Sequence, residues 1–189
     1  MKMTATEPAA DGPIEKLAAL FASHGGEAYG EDVTQLQHGL QCAAAAERDG
    51  ASEALITAAL LHDVGHMLHR DAAAALAAGR DDRHEVLGAS FLARWFPKDV
   101  TEPIALHVAA KRYLCTMDQD YQRLLSPVSL RTLQLQGGPM DEREATTFAW
   151  LPHAGAAVKV RRWDEQAKTT DAGTPPLEHF LAIARRCLA

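Results

Sequence analysis

Apolar residues recur along this chain at intervals of three and four positions, the spacing that places them on one face of an α-helix. Ile14, Leu17 and Phe21 form the first such stripe, which predicts a helix from Pro13 to the glycines at 25 and 26. Similar stripes predict helices over residues 33–49, 53–63, 84–96, 102–114, 126–135, 141–150, 152–168 and 177–188. No segment has a convincing strand pattern, so we expect an all-α fold.

Short polar residues precede several of these stripes and are predicted N-caps, because their side-chain oxygens can accept hydrogen bonds from free backbone N–H groups. Asp32, Ser52 and Thr101 occupy such positions. Residues 1–12 are polar and rich in alanine, and we expect a flexible N-terminal tail there. The remainder, residues 13–189, is predicted to form one domain.

Charge and cysteine content narrow the possible partners of the chain. Its 189 residues carry a net charge of -6, so we expect no nucleic-acid binding through a basic surface. A phosphate-bearing substrate remains possible, since it needs only a local cationic pocket. The three cysteines form no CxxC pair, and no apolar run reaches the roughly 18 residues that cross a bilayer. We therefore expect a soluble, cytoplasmic protein with no membrane partner.

The segment at residues 60–66 reads Leu-Leu-His-Asp-Val-Gly-His and holds the most informative polar residues. His62 and Asp63 stand side by side at the end of an apolar run, where a buried charge is costly unless a cation compensates it. His66 follows His62 by four residues and would share its helix face if the helix continued that far. A solvated helix end with ordinary polar residues is the alternative interpretation.

Four more residues with metal-binding side chains lie on or beside apolar stripes of other predicted helices. They are His38, His84, His107 and Asp164. A single histidine in such a position is more often a hydrogen-bonded core residue. Four such residues in addition to an adjacent His-Asp pair are harder to explain in that way, since imidazole and carboxylate groups together suit iron, manganese or zinc.

The order His38, His62-Asp63, Asp164 resembles the H…HD…D signature of the HD-domain superfamily, a single all-helical bundle in which these residues hold a metal. The additional His84 and His107 resemble the subset of that superfamily with two metal ions. The resemblance implies that Asp63 bridges the two ions. The ligands that it implies are His38, His62, Asp63, His84, His107 and Asp164.

Longer blocks narrow the resemblance to one group. Residues 107–114 (His-Val-Ala-Ala-Lys-Arg-Tyr-Leu) and 135–142 (Leu-Gln-Gly-Gly-Pro-Met-Asp-Glu), with residues 30–31, 35–43 and 162–165, resemble the HD-domain mixed-valence di-iron oxygenases. These enzymes cleave the carbon–phosphorus bond of a 1-hydroxy-2-aminoethylphosphonate. The similarity runs from about residue 28 to 180.

This resemblance implies a non-heme enzyme with one Fe(II) and one Fe(III) ion and with dioxygen as co-substrate. Its small-molecule organophosphonate substrate would give phosphate and glycine, or glycine betaine if the amine is trimethylated. The sequence does not separate these two substrates. An upstream hydroxylase that depends on 2-oxoglutarate and iron is expected in the same pathway. The oligomeric state is left open.

Polar residues beyond the ligands are predicted to bind the phosphonate. Lys111 lies one turn after His107, so its ammonium can reach a metal-bound phosphonate. Ser129, Thr132 and Gln136 fall on one helix face and can all donate hydrogen bonds. The alternative is that Lys111 and Gln136 are solvated and that the two hydroxyl residues are incidental.

Three other residues complete the predicted site. His66 is predicted to bond the substrate and, with Lys111, to act in catalysis; support of a metal ligand is its alternative role. Glu31 has the charge to bind a substrate ammonium, and helix capping is its alternative role. The family has a gating tyrosine three residues before this glutamate, where Ala28 stands here. Tyr29 is therefore predicted either to gate the iron site or to contact the amine, and a quaternary ammonium would favour aromatic contact.

Three functions compete for this sequence. The first is the oxygenase, which the blocks at 107–114 and 135–142 favour. The second is an HD-domain phosphohydrolase, in which a metal-bound hydroxide attacks a phosphate ester. The third is a non-catalytic HD module, which usually lacks some of the ligands. Oxygen dependence separates the first two, because a hydrolase releases phosphate equally well without air.

Overall fold

The computed structural model describes residues 12–28, 32–68, 78–170 and 172–189, and these residues contain no strand. A single isolated antiparallel bridge within them joins Ala28 and Thr34. The helices, labelled in chain order, are α1 (Pro13–His24), α2 (Gln35–Arg48), α3 (Glu53–Leu61), α4 (Val64–Leu68), α5 (His84–Leu92), α6 (Lys98–Met117), α7 (Tyr121–Leu124), α8 (Pro127–Leu135), α9 (Glu142–Ala149), α10 (Ala154–Gln166) and α11 (Leu177–Arg186). The all-α prediction is confirmed.

The N-terminus of α2 differs from the prediction. Thr34, and not Asp32, is the N-cap: its hydroxyl oxygen accepts a hydrogen bond from the backbone N–H of Gln37. The Gln37 side chain in turn accepts one from the backbone N–H of Thr34, which completes a capping box. Ser52 caps α3 as predicted.

The helix after Pro97 also begins earlier than predicted. It starts at Lys98, so Thr101 lies inside it and is not its cap. The Thr101 hydroxyl instead donates a hydrogen bond to the Pro97 carbonyl oxygen, 3.3 Å away. This helix, α6, is the longest in the described ranges, with 20 residues.

The chain breaks its helix at His62 and Asp63. These two residues form a turn between α3 and α4, so His66 belongs to a different helical segment from His62. The condition for a shared helix face, a helix that continues from His62 to His66, is therefore not met.

The packing centres on α6, which contacts α3, α5 and α10, while α2 packs against α3 and α10. The main apolar core joins residues from α1 to α11, among them Leu17, Ile104 and Phe180, each almost completely buried. Two smaller apolar clusters, around Phe148 and Leu133, cover the remaining length of α6. The domain limits 1–12 and 13–189 stay predictions, and residues 1–11 lie outside the described ranges.

Two glycines let backbones approach closely beside the His62–Asp63 turn. A Cβ atom on Gly65 would overlap the carbonyl oxygen of His84. A Cβ atom on Gly39 would lie 2.8 Å from the carbonyl oxygen of Leu60, which is also too close. Because neither residue has a side chain, α4 lies directly against the start of α5, and α2 lies directly against α3.

Candidate metal centre

The six predicted ligands come together at the middle of the bundle, and all are buried. They arrive from separate parts of the fold: His38 from α2, His62 and Asp63 from the turn after α3, His84 from the start of α5, His107 from α6 and Asp164 from α10. They form two groups that share Asp63. We call them the first cluster (His38, His62, Asp164 and Asp63 Oδ2) and the second cluster (His84, His107 and Asp63 Oδ1).

In the first cluster, three elements bring nitrogen and oxygen atoms to one point. The Nε2 atoms of His38 and His62 are 3.2 Å apart and lie 3.6 and 3.3 Å from Asp63 Oδ2. Asp164 Oδ1 is 3.4 Å from His38 Nε2, and Asp164 Oδ2 is 3.8 Å from His62 Nε2.

The second cluster repeats this arrangement on the other oxygen of Asp63. The Nε2 atoms of His84 and His107 are 3.2 Å apart. They lie 3.3 and 3.4 Å from Asp63 Oδ1. One carboxylate therefore presents one oxygen to each pair of imidazoles.

The other ring nitrogen of each histidine has its own acceptor. Nδ1 of His38, His62 and His107 lies 2.9, 2.9 and 2.7 Å from a backbone carbonyl oxygen. Nδ1 of His84 lies 2.9 Å from a carboxylate oxygen of Asp82. Since carbonyl and carboxylate oxygens only accept, each Nδ1 carries the proton, and in the neutral ring Nε2 keeps its lone pair for the centre of the cluster.

These atoms fit two metal ions. In the first cluster, the Nε2 lone pairs of His38 and His62 that face each other at 3.2 Å repel unless a cation lies between them. Ligand atoms about 2.1 Å from a common ion, and 90 to 110° apart, stand about 3.0 to 3.4 Å from one another. Asp63 Oδ2, although buried, has no hydrogen-bond partner among the described residues, as expected for an atom that binds a metal ion.

Burial also favours the neutral imidazoles of His38 and His107. Burial, and then the proximity of His62, lower the pKa of His38 to about 3. Burial lowers the pKa of His107 to about 3 as well. Both rings are therefore neutral near pH 7, which is the form that binds metals.

Asp63 and His84 are the charged residues of the second cluster, the first as an anion and the second as a cation. Burial raises the pKa of Asp63, but the surrounding imidazoles of His62, His107 and His84 outweigh burial and hold that pKa well below its usual range. Burial opposes the charged form of His84, but its hydrogen bonds to Asp63 and Asp82 raise the pKa to about 10. A proton on His84 competes with a metal ion, so metal binding at the second cluster releases it.

His66 lies beside the second cluster and does not join either set of ligands. Its ring stacks on that of His84, with centroids 3.9 Å apart and planes at 19°. Its Nδ1 lies 2.8 Å from Oδ2 of Asp82, the carboxylate that also bonds His84. Asp82 was missed by the sequence interpretation, although its position two residues before His84 was a usable signal.

Lys111 lies one turn beyond His107 on α6 and is almost fully buried. Its Nζ donates a hydrogen bond to the Thr132 hydroxyl on α8, at 2.9 Å. Burial, and then the nearby charge of Arg161, lower the pKa of Lys111 to about 7. The predicted pair of Lys111 and Thr132 is thus brought together next to the second cluster.

Ser129 lies one turn before Thr132 and meets two further cations that the sequence interpretation missed. Its hydroxyl oxygen lies 3.2 Å from Arg161 Nη2 and 3.0 Å from Lys168 Nζ, both donors. The Ser129 hydroxyl itself donates to Glu165 at 3.1 Å. We call Lys111, Ser129, Thr132, Arg161 and Lys168 the cationic cradle.

Arg161 connects this cradle to the first cluster. It precedes Asp164 by one helical turn on α10, and its guanidinium pairs with Asp164 and with Glu165. Its Nε donates to the Tyr121 hydroxyl at 2.7 Å. Spacing of three residues between Arg161 and a predicted ligand was the available signal in the sequence.

Gln136 ends α8 on the side of the cradle, two turns after Ser129. Its Oε1 atom is buried and has no hydrogen-bond partner among the described residues. An unsatisfied buried amide is costly unless a ligand pairs with it. Tyr29 and Glu31, the remaining predicted substrate residues, lie outside the described ranges.

Comparisons with known proteins identify the family of the chain. The HD domain family model matches residues 17–146. The chain is 44% identical over 182 residues to hydroxymethylphosphonate dioxygenase of Gimesia maris, covering 93% of this chain and 90% of that protein. It is 40% identical over 174 residues to the glycine-betaine-forming 1-hydroxy-2-(trimethylamino)ethylphosphonate dioxygenase of Leisingera caerulea, covering 92% and 89%.

In the parts of the chain that the structure describes, no helix combines the length and hydropathy needed to span a bilayer. The clusters of histidine and aspartate, together with dioxygenases as relatives, indicate an enzyme that uses a metal and dioxygen. The family resemblance found in the sequence is confirmed. The chain belongs to the HD-domain family and, within it, to the group of phosphonate dioxygenases.

Proposed function

We propose that this enzyme is a di-iron oxygenase that cleaves the carbon–phosphorus bond of a 1-hydroxyphosphonate with dioxygen. The observation that carries the proposal is the carboxylate of Asp63, whose two oxygens face two different pairs of imidazoles beside a buried cationic cradle. The metal ions would be held at the first and second clusters, one ferrous and one ferric. When bound, they supply an open coordination position for the substrate and the electrons that activate dioxygen.

The reaction balances without an external reductant. A 1-hydroxyphosphonate, R–CH(OH)–PO3H2, and O2 give a carboxylic acid, R–COOH, and phosphate, H3PO4. The C1–H and C1–P bonds break, C1 is oxidised to the level of a carboxylic acid, and O2 is fully reduced. Protein residues therefore need to bind and orient the substrate, but they do not need to supply electrons.

The cationic cradle is suited to the phosphonate group. Lys111 is positioned to place its ammonium on a phosphonate oxygen, and the Thr132 hydroxyl that it now bonds can turn its proton to another. The buried Oε1 atom of Gln136, which has no hydrogen-bond partner among the described residues, can accept a hydrogen bond from a hydroxyl group of the substrate. Arg161 and Lys168 are engaged with Glu165, so they act by keeping Ser129 in place and by adding positive charge.

His66 is proposed to bond the substrate through Nε2, because its Nδ1 is directed to Asp82 and its side chain is partly exposed. Its ring lies against that of the proposed ligand His84, so a group bonded to His66 is held next to the second cluster. Together with Lys111, it would hold the C1 carbon in one orientation. Fixing the reacting groups in this way contributes to the rate by reducing the entropy lost in the chemical step.

The group on C1 is the part of the substrate that differs between relatives. The relative from Gimesia maris is named for hydroxymethylphosphonate, and that from Leisingera caerulea for a trimethylamino substrate. Their shared feature is the hydroxyl on the carbon bonded to phosphorus. We propose the 1-hydroxyphosphonate as the substrate class, with Tyr29 and Glu31 as the residues that respond to an amine.

The substrate must come from a reaction that installs the C1 hydroxyl. An upstream hydroxylase using iron and 2-oxoglutarate fits that chemistry and is our proposed pathway partner. The three cysteines, Cys42, Cys115 and Cys187, are free thiols. They fit a reducing compartment such as the cytoplasm.

The decisive test is oxygen consumption by protein loaded with iron. Hydroxymethylphosphonate, 1-hydroxy-2-aminoethylphosphonate and its trimethyl analogue are supplied separately, and the organic acid and phosphate are quantified. We expect one O2 to be consumed per phosphate released, with 18O from labelled O2 in the products. The most active substrate identifies the amine preference.

The same assay under anaerobic conditions distinguishes the oxygenase from a phosphohydrolase. Phosphate release without air, from the phosphonates or from a phosphate monoester, would show hydrolysis and overturn the oxygenase proposal. Iron oxidation alone, without an organic acid, would also overturn it.

A further inference from the structure

One carboxylate, that of Asp82, holds two imidazoles beside the second cluster. Oδ1 of Asp82 lies 2.9 Å from Nδ1 of His84, and it also accepts a hydrogen bond from the His84 backbone N–H at 3.3 Å. Oδ2 lies 2.8 Å from Nδ1 of His66. The two rings are therefore bonded to the two oxygens of one side chain while they stack on each other.

The turn that carries Asp82 has an unusual backbone. Arg83 has φ 52 and ψ 38, and it is the one non-glycine residue with positive φ among the described residues. This conformation is strained for a residue with a Cβ atom, so surrounding contacts must hold it. Asp81 accepts a hydrogen bond from the Arg83 backbone N–H at 3.3 Å, and Asp82 accepts from His84. The strained turn directs Asp82 inward, to the two imidazoles.

We propose that Asp82 is a positioning residue that sets the tautomer and the orientation of His84 and His66 at once. This inference rests on the proposed function, in which His84 binds a metal ion and His66 bonds the substrate. Asp82 requires a proton on Nδ1 of each ring. It therefore leaves Nε2 of His84 free to bind the metal and fixes the plane in which His66 meets the substrate.

An amide at this position has a predictable effect. Asn has one acceptor oxygen and one NH2 group, so it cannot accept from both Nδ1 atoms. One imidazole must then turn away or move its proton to Nε2. If that ring is His84, its Nε2 can no longer bind a metal, whereas the first cluster keeps all its groups.

The test is metal titration of the full-length protein, freed of metal and then loaded anaerobically with ferrous iron. For Asp82→Asn we expect the first ion to bind as in the wild type and the second to bind about 10 to 100 times more weakly. At an iron concentration just sufficient to fill both sites of the wild type, the content of the variant falls from about two ions per chain towards one. The mixed-valence signal in electron paramagnetic resonance, which requires two coupled ions, falls in proportion.

Asp81→Asn is the matched control, because it makes the same chemical change one residue earlier, on an exposed side chain that bonds no imidazole. It should leave both affinities unchanged. Asp82→Glu, which restores two acceptor oxygens, should recover part of the second-site affinity. Unchanged binding of the second ion in Asp82→Asn would overturn the part of the proposal that concerns His84, as would equal weakening of both ions.

The effect on His66 is tested by a double-mutant cycle in KM. His66→Ala should raise KM and keep both ions. In the Asp82→Asn background, measured at saturating iron, the same substitution should raise KM by a smaller factor, because His66 is already mispositioned. An equal rise in KM in the two backgrounds would show that Asp82 does not position His66, and would overturn that half of the proposal.

Failure of the proposed function gives a different result. If the wild type binds two ions but consumes no O2 with any 1-hydroxyphosphonate, the oxygenase reaction is wrong. The metal titration of Asp82→Asn still decides whether Asp82 positions His84. If the wild type binds one ion alone, the di-iron proposal and this inference fail together, before any variant is compared.

Discussion

At the scale of single residues, Asp63 has the largest predicted effect because both clusters depend on its carboxylate. Asp63→Ala removes an anionic oxygen from each cluster and leaves four imidazoles with no shared anion. We expect the iron content to fall from about two ions per chain to below one, and oxygen consumption to disappear. Elemental analysis of protein loaded with ferrous iron measures the first effect.

Asp99→Ala is the control for this substitution, since the Asp99 side chain is 77% exposed on α6 and belongs to neither cluster. Circular dichroism should show the same helix content in both variants. Full iron content in Asp63→Ala would mean that Asp63 does not bridge the two ions.

Lys111 leads to a prediction about pH. Its pKa of about 7 means that the side chain is charged below pH 7 and neutral above it. Because the charged form attracts a phosphonate, the KM of the enzyme should rise as the pH increases from 7 to 9, by up to about tenfold per unit. The pH profile of KM from oxygen uptake measures this.

Lys111→Arg separates this effect from ionisation of the substrate. Arginine stays charged throughout this range, so the variant should show a flatter profile, whatever its absolute KM. The substrate changes its charge equally in both experiments. Profiles that run parallel would exclude titration of Lys111 as the cause.

The proposed metal ligands were easier to identify from the sequence than the residues that hold them in position. His38, His84 and His107 were recognisable because a polar side chain on an apolar stripe is rare. Asp82 sits in a charged turn, where a carboxylate is ordinary, and Arg161 resembles any arginine on a helix. Their roles depend on contacts between distant segments, and such contacts leave no periodic signal in the sequence.

At the scale of helices, the contact between α4 and α5 depends on Gly65. A methyl group there would overlap the His84 carbonyl oxygen, so α5 must move away. We expect Gly65→Ala to lower the free energy of unfolding by about 1 to 3 kcal/mol. It should also weaken the second metal site, because His84 is the first residue of the displaced helix. Urea unfolding and iron titration measure the two effects.

Gly155→Ala is the comparison for that variant. Gly155 lies in the first turn of α10 with no atom within 4 Å of an added Cβ. Alanine should therefore raise the free energy of unfolding slightly, by up to about 1 kcal/mol. If Gly65→Ala unfolds at the same urea concentration as the wild type, the close contact between α4 and α5 is not required.

Helix positions followed from the sequence, but several of their ends did not. Asp32 and Thr34 both precede the apolar stripe of α2, and the reciprocal bond with Gln37 favours Thr34. The break at residues 62–63 is less visible still, because the apolar pattern continues through it. The turn is stabilised by tertiary contacts around the clusters, and periodicity does not report them.

At the scale of the whole molecule, the clusters join α2, α5, α6, α10 and the turn after α3 at one point. Removing the metal ions with a chelator would leave Asp63 and Asp164 with His84 and Arg161 as their cationic partners. At an ion concentration about 100 times the dissociation constant, each site adds about 2.7 kcal/mol to stability. We therefore expect a chelator to lower Tm by about 5 to 10 °C per site. Calorimetry with and without the chelator measures this.

The Asp63→Ala variant serves as the control for that experiment, since it should bind little metal and its Tm should not respond to the chelator. A wild-type Tm that also does not respond would mean that the helices hold the clusters together without help from an ion. Re-addition of ferrous iron should restore the wild-type Tm.

The all-α architecture could be predicted from the sequence. Apolar stripes with a helical period, abundant alanine and the absence of strand patterns specify an all-α chain, and the core from Leu17 to Phe180 fits that prediction. The arrangement of α6 at the centre was not predicted. It depends on which stripes face each other, and several pairings bury similar apolar area.

The shared carboxylate of Asp63 has a thermodynamic consequence for how the two sites fill. A single negative charge is divided between two cations, so the ion that arrives first alters the field met by the second. By linkage, whatever factor the first applies to the affinity of the second, the second applies to the first. The two clusters therefore cannot bind metal ions as independent, equivalent sites. A metal-binding isotherm for this protein should depart from a simple hyperbola.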